Sequence, residues 1–211
     1  MAKVSAGRRD RSRLQETRKL SDEPAAAASH DDGPARLYLT PSEVEQLVKA
    51  AASVGRHRFR DSMLIAVAYH HGLRVGELVD LRWGDIDFHD RTMRIHRLKN
   101  GLPANHPLEG DELRSLRKLQ RLYPNSPWVF ASELKGPLTE GLVWKIVKRA
   151  GQRAGFEFAT HPHQLRHACG FYLASRNTPM ATIKAYLGHK DLRQTVHYCQ
   201  LAPNQFDGLW R

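Results

Sequence analysis

The chain has 211 residues, with 33 Lys plus Arg against 22 Asp plus Glu and a formal net charge of +11. It holds no run of about 18 apolar residues, which excludes a helical membrane span. Its charged start (Lys3, Arg8, Arg9, Arg11) is followed by no apolar stretch, so a secretory signal is not expected and the cytoplasm is the default compartment. The length suits one domain with a sizeable core, or one domain plus a tail. Cys169 and Cys199 form no CxxC pair and read as free thiols rather than a thiolate zinc site. Arginine outnumbers lysine by more than two to one. That surplus suits two-pronged grips on phosphate and points to a polyanion, DNA or RNA, as partner.

Residues 1–36 are rich in Arg, Lys, Ala, Ser and Asp, offer few large apolar side chains, and are expected to form a disordered basic arm. Such an arm touches DNA backbone or is an inert tail, and composition does not separate the two. Order is expected from Thr40-Pro41-Ser42-Glu43, a capping box with proline at the first helical position. Val44, Leu47, Val48 and Ala51 then mark one helical face. A second helix runs through Met63, Leu64, Ala66 and Val67 to a stop at Gly72, and a short third spans Val75 to Leu81. Ile86–Phe88, Thr92–Arg97 and Leu102–His106 read as three short strands, with Asn100-Gly101 as the hairpin turn between the last two. Helical spacing returns over Glu112–Leu122, again after Thr139, and three more times near 163–175, 179–187 and 191–199. The expected fold is mainly α with a small three-stranded antiparallel sheet inserted early.

Polar residues cluster beside turns in five places: Leu73-Arg74-Val75-Gly76-Glu77, Leu98-Lys99-Asn100-Gly101, His161-Pro162-His163-Gln164-Leu165-Arg166-His167, Leu187-Gly188-His189-Lys190 and Thr195-Val196-His197-Tyr198. Residue by residue each has a plain structural reading. Arg74 is a charge at a helix start, Lys99 hairpin decoration, and His163 a backbone partner after Pro162. His189 is a cation near a helix end, and Tyr198 a half-buried aromatic. Together they match the needs of phosphodiester transfer. Two guanidiniums never lose their protons and can hold the charge that gathers on non-bridging oxygens. A lysine or histidine can protonate a leaving 5′ oxygen. A tyrosine hydroxyl can attack phosphorus and keep the bond energy in a phosphotyrosine, without metal or ATP.

The five segments in this order resemble the tyrosine recombinase (phage integrase) family. His161–Phe171, Tyr186-Leu187-Gly188-His189 and Ile95-His96-Arg97-Leu98-Lys99 are close to the wording of its short members that invert fimbrial promoter DNA. The resemblance covers roughly residues 37–211, which it implies are a catalytic domain of the DNA breaking-rejoining fold. It implies that Arg74 and Arg166 clamp the scissile phosphate, that His163 and His189 add hydrogen bonds or move protons, and that Lys99 is the general acid. Tyr198 would be the nucleophile, and Glu77 would orient a catalytic histidine or arginine. His161, His167 and His197 read as structural or DNA-facing. The implied activity is metal- and cofactor-independent site-specific recombination, as inversion of a promoter element controlling fimbrial or surface genes. The implied partners are double-stranded DNA, a homotetramer on paired sites and accessory DNA-bending proteins, in a bacterial, nucleoid-associated setting without a membrane.

Typical members also carry a separate helical N-terminal domain, and the stretch before residue 37 is too short to build one. The apolar segment Phe206–Trp210 is expected to pack on its own domain or a neighbour. Two other readings compete. His161, His163 and His189 could form a three-histidine zinc site. The paired helices after Thr178 have helix-turn-helix length and suit a DNA-binding transcription regulator that does not cut.

Overall fold

The computed structural model describes residues 37–97 and 103–200. The basic arm, Lys99 with its Asn100-Gly101 turn, and the Phe206–Trp210 segment lie outside those residues. The helices are α1 (Pro41–Ser53), α2 (Arg58–His70), α3 (Val75–Val79), α4 (Gly110–Leu122), α5 (Glu140–Ala154), α6 (Pro162–Ser175), α7 (Met180–Leu187) and α8 (Arg193–Gln200). Between α3 and α4 run β1 (Ile86–Asp87), β2 (Thr92–Ile95) and β3 (Ala104–Pro107), paired antiparallel in that order. The expected architecture is therefore present. The strands are shorter than the sequence suggests: β1 stops at Asp87, whose carboxylate turns back to accept from the His89 and Asp90 N–H groups at 2.8 Å each. Trp83–Asp85 form a single 3₁₀ turn ahead of β1.

The capping box folds as its residues dictate. The Glu43 N–H donates to Thr40 Oγ1 at 3.3 Å, and the Thr40 N–H donates to Glu43 Oε2 at 2.7 Å. This fixes the start of α1, whose Val44, Leu47, Ala50 and Ala51 face inward. Helix α2 is covered on most sides and buries Met63, Leu64, Ile65, Val67 and Ala68 between α1 and α6. A smaller apolar cluster joins α6, α7 and α8 through Cys169, Phe171, Ala174, Ile183, Leu187 and Tyr198.

One polar seam crosses the interior. Arg97 Nη2 lies 3.2 Å from His106 Nε2, the Nδ1 atoms of His106 and His71 lie 3.2 Å apart, and His71 Nε2 lies 3.2 Å from both Glu112 oxygens. Guanidinium can only donate and carboxylate can only accept, so the two ends set every proton between them. His106 accepts at Nε2 and donates from Nδ1; His71 accepts at Nδ1 and donates from Nε2 to Glu112. Burial foremost, with neighbouring His71 and the Arg97 charge adding to it, pushes His106 down to about 3. Glu112 sits at about 2, because hydrogen bonds from His70 and His71 together outweigh the opposing effect of burial.

An unfolded histidine titrates near 6.5. Below that pH the unfolded chain binds a proton that folded His106 refuses, so its contribution is complete above pH 6.5 and is lost as pH falls toward 3. The urea midpoint is expected to fall between pH 7 and pH 5, with each such histidine adding at most about 1.4 kcal/mol per pH unit. The slope in His106→Gln should be shallower than in the natural chain, which urea titrations at several pH values would read.

Candidate active site

The site is assembled from helix ends. Helix α2 finishes at His70 with His71 as its C-cap, and Arg74, in extended backbone, opens α3 as its N-cap. The Arg74 N–H donates to Glu77 Oε2 at 3.0 Å, and its Nη1 donates to Glu77 Oε1 at 2.8 Å. A carboxylate in the first turn of a helix is favoured by the helix dipole. That carboxylate also accepts from Arg97 Nη1 at 2.8 Å, with both side chains fully buried. Burial alone would raise Glu77, but the Arg97 charge and the Arg74 hydrogen bonds prevail and hold it below its ordinary value.

Arg166 lies in α6 and is 6% exposed. Its Nη2 donates to the Leu187 carbonyl at 2.6 Å and its Nη1 to the Gly72 carbonyl. Arg74 Nη2 approaches the next carbonyl along the chain, that of the α7 C-cap Gly188, at 3.5 Å. Both guanidiniums thus face the carbonyl end of α7, where the dipole favours cations. Burial, and next the charge of Arg74, lower Arg166 to about 10, so it stays charged at neutral pH. Gly188 ends α7 at φ +65°, and a methyl group built on it would lie 2.7 Å from Arg97 Nε. Glycine is therefore needed there for backbone conformation and for space. Arg97 also donates to the Tyr186 carbonyl, so it fastens the last turn of α7 to Glu77.

The residue after Gly188 is His189. It is buried, its Nδ1 lies 2.9 Å from Thr195 Oγ1, and its ring stacks on Tyr198 with centroids 6.0 Å apart at 21°. Burial and then the charges of Arg166 and Arg74 push it down to about 4. Tyr198 is 2% exposed, and its hydroxyl lies 3.0 Å from His167 Nδ1. Burial raises the phenol above its ordinary value, partly offset by Arg166. His163 is exposed one turn before Arg166, with its ring edge to Trp144 at 6.1 Å. Its pKa is lowered by desolvation first and by Arg166 and Arg74 next.

Arg74, Glu77, Arg166, His189 and Tyr198, drawn from segments far apart in the chain, therefore meet around the α7 terminus, with His163 at the rim. Lys99 lies outside the described residues. Two participants escape the sequence reading. Arg97 is placed by strand alternation, since Met93, Ile95 and Arg97 are buried while Arg94 and His96 are exposed. That period is visible in the sequence and marks an arginine aimed inward. His167 reads from sequence as structural or DNA-facing, yet it touches the Tyr198 hydroxyl. The three-histidine arrangement does not assemble: His161 stacks on Trp144 at 5.3 Å while His189 lies against Tyr198. Among the described residues no group of three His, Cys, Asp or Glu is placed to hold a metal ion. Among them, too, no helix is long and apolar enough to cross a membrane.

The Phage integrase family model matches residues 37–205. The chain is 39% identical over 184 residues to the type 1 fimbriae regulatory protein FimB of Escherichia coli, covering 85% of this chain and 92% of that protein. It is 38% identical over 181 residues to the type 1 fimbriae regulatory protein FimE of the same species, covering 83% and 91%. The fold is similar to the crystal structure of XerA recombinase, with TM-score 0.70 at 22% identity, over 82% of this chain and 63% of that one. The chain thus spans about three fifths of that structure's length. With the family model spanning most of the chain and FimB and FimE aligned over nearly their whole length, the chain belongs to the phage integrase family, the tyrosine recombinases.

Proposed function

We propose that this protein is a site-specific DNA recombinase that cuts and rejoins strands through a 3′-phosphotyrosyl link to Tyr198. The observation that carries the reading is the meeting of Arg74 and Arg166 at consecutive carbonyls of α7, beside a histidine stacked on a buried tyrosine. Two fixed guanidiniums aimed at one place are what a phosphorane-like transition state requires. In this reading they hold the non-bridging oxygens and Glu77 keeps Arg74 aimed. His163 and His189 contribute hydrogen bonds or move protons, and Lys99 protonates the leaving 5′ oxygen. Residues 37–211 act as the catalytic domain, and residues 1–36 as a basic arm on the DNA backbone.

The fimbrial regulatory names of FimB and FimE favour inversion of a promoter-bearing segment as the outcome, with fimbrial or surface genes under its control. Structural relatives include XerH bound to its difH substrate, which supports double-stranded DNA as this chain's substrate too. Four copies on paired sites, helped by DNA-bending proteins on the nucleoid, complete the proposal.

The test works without a defined target sequence. Genomic DNA from the organism carrying the gene is lightly nicked, so that a short 5′-hydroxyl strand near the cut diffuses away and leaves the adduct stranded. Protein is added, detergent removes all non-covalent complexes, and the retained DNA is sequenced. The natural chain is expected to retain fragments sharing one sequence, and Tyr198→Phe none, with unchanged binding before detergent. Absence of any adduct with the natural chain, or its persistence in Tyr198→Phe, overturns the proposal. In the same assay Glu77→Gln is expected to slow adduct formation by about tenfold to a hundredfold, the scale of a misaimed catalytic group, while DNA binding changes little.

A further inference from the structure

The nucleophile's hydroxyl already has a partner. Helix α6 presents Arg166, His167 and Gly170 toward α7 and α8, and His167 and Gly170 lie one turn apart on the same face. A methyl group built on Gly170 would lie 2.8 Å from Cε2 and Cζ of Tyr198. The missing side chain therefore lets the phenol lie against the helix itself. Phe171 meets the ring edge-on at 5.2 Å, and His189 covers it from the α7 side at 6.0 Å. With the ring seated this way, its hydroxyl ends 3.0 Å from His167 Nδ1. His189 has its Nδ1 engaged by Thr195, and His163 points to the exposed rim beside Trp144.

We propose that His167 accepts the Tyr198 proton as the phenol attacks the scissile phosphate. The inference rests on the reading of Tyr198 as nucleophile. The groups facing His167 are His163 and Arg166 on α6, His161 at its N-cap, His197 and Tyr198 on α8, and His189 after α7. Burial first, then the charges of His163 and Arg166, lower His167 to about 4, so the ring is neutral at neutral pH. In the tautomer that the proposal requires, the proton sits on Nε2 and Nδ1 accepts from the Tyr198 hydroxyl. A DNA phosphate drawn in by Arg74 and Arg166 brings negative charge beside that imidazole. The anion offsets the cationic field and makes the ring a better base when substrate is present.

In the step, the Tyr198 oxygen bonds to phosphorus as the bond to the 5′ oxygen breaks. The phenol proton passes to His167 Nδ1, and the 5′ oxygen leaves as a hydroxyl with a proton from the general acid, the role assigned to Lys99. In religation the 5′ hydroxyl attacks and returns its proton to the general acid's conjugate base, while the bond from phosphorus to the Tyr198 oxygen breaks and His167 returns its proton to the phenol.

His167→Asn keeps an oxygen near the Nδ1 position to receive the hydroxyl but takes no proton at neutral pH. Single-turnover adduct formation on the nicked DNA pool is followed from about pH 5.5 to about 9. The natural chain should reach a plateau. His167→Asn should be slower on the order of 100-fold near neutrality and gain about tenfold per pH unit, since hydroxide then does the work. Replacing the bridging 5′ oxygen by sulfur removes the need for a leaving-group proton, so it should restore Lys99→Ala and leave His167→Asn slow. His167→Gln is measured beside it, and thermal melting selects the variant that keeps the fold. Nitrogen-15 NMR of the natural chain adds a readout free of mutation: an unprotonated Nδ1 on His167 is expected at neutral pH. The inference is overturned by a His167→Asn rate equal to that of the natural chain, by a slowed rate with the natural pH profile, or by a protonated Nδ1. A natural chain that forms no adduct, or a Tyr198→Phe chain that does, overturns instead the reading of Tyr198 as nucleophile.

Discussion

One buried carboxylate organises this protein. Glu77 receives the Arg74 guanidinium on one oxygen and that of Arg97 on the other, and Arg166 stands close enough to feel the charge of both. Gathering like charges inside a protein is costly, and a single carboxylate does not balance three cations. The difference is met by dipoles: carbonyls of Gly72, Tyr186, Leu187 and Gly188, at the ends of α2 and α7, point at the guanidiniums. The result is a fixed positive field whose orientation is settled before any phosphate arrives. Fixed fields of this kind cost no reorganisation at the moment of reaction, which is why they dominate many rate enhancements.

The field also reaches the imidazoles. His106, His167 and His189 all sit well below the ordinary histidine range, with burial as the first cause and the guanidiniums adding to it. A site crowded with arginine is thus lined with neutral rings at physiological pH. Neutral imidazole can accept a hydrogen bond as well as donate one, and a phenol nucleophile has use for an acceptor.

Much of this is legible in the order of the residues. Local signals serve well: the Thr40 capping box, Thr139 as an N-cap and Gly188 as a helix stop rest on interactions within a few residues, and the β2–β3 pairing joins positions no more than 15 apart. Arg74, Arg166, His189 and Tyr198 stand out through the wording of their segments, and the fold brings them together. What stays hidden depends on distance along the chain. His71 and Glu112 are 41 positions apart and His71 and His106 are 35 apart, so their seam has no local signature. Arg97 has such a signature in the β2 alternation, but an arginine on an inward strand face only makes sense once Glu77 is seen beneath it. His167 escapes for a related reason: its spacing to Gly170 is visible, but the ring that fills the gap arrives from α8.

Tyr198 belongs to the small apolar cluster as much as to the polar site. Its ring helps attach α8 to α6 and α7, so the residue proposed as nucleophile is also a fastening. Fully burying an aromatic ring stabilises by roughly 1.5 to 3 kcal/mol. Any rearrangement that carried the phenol outward would forfeit that contribution and loosen α8 at the same moment. With Tyr198 as the proposed nucleophile, readiness to react and cohesion of the C-terminal helices are one equilibrium, and whatever holds α8 down also holds the hydroxyl against His167.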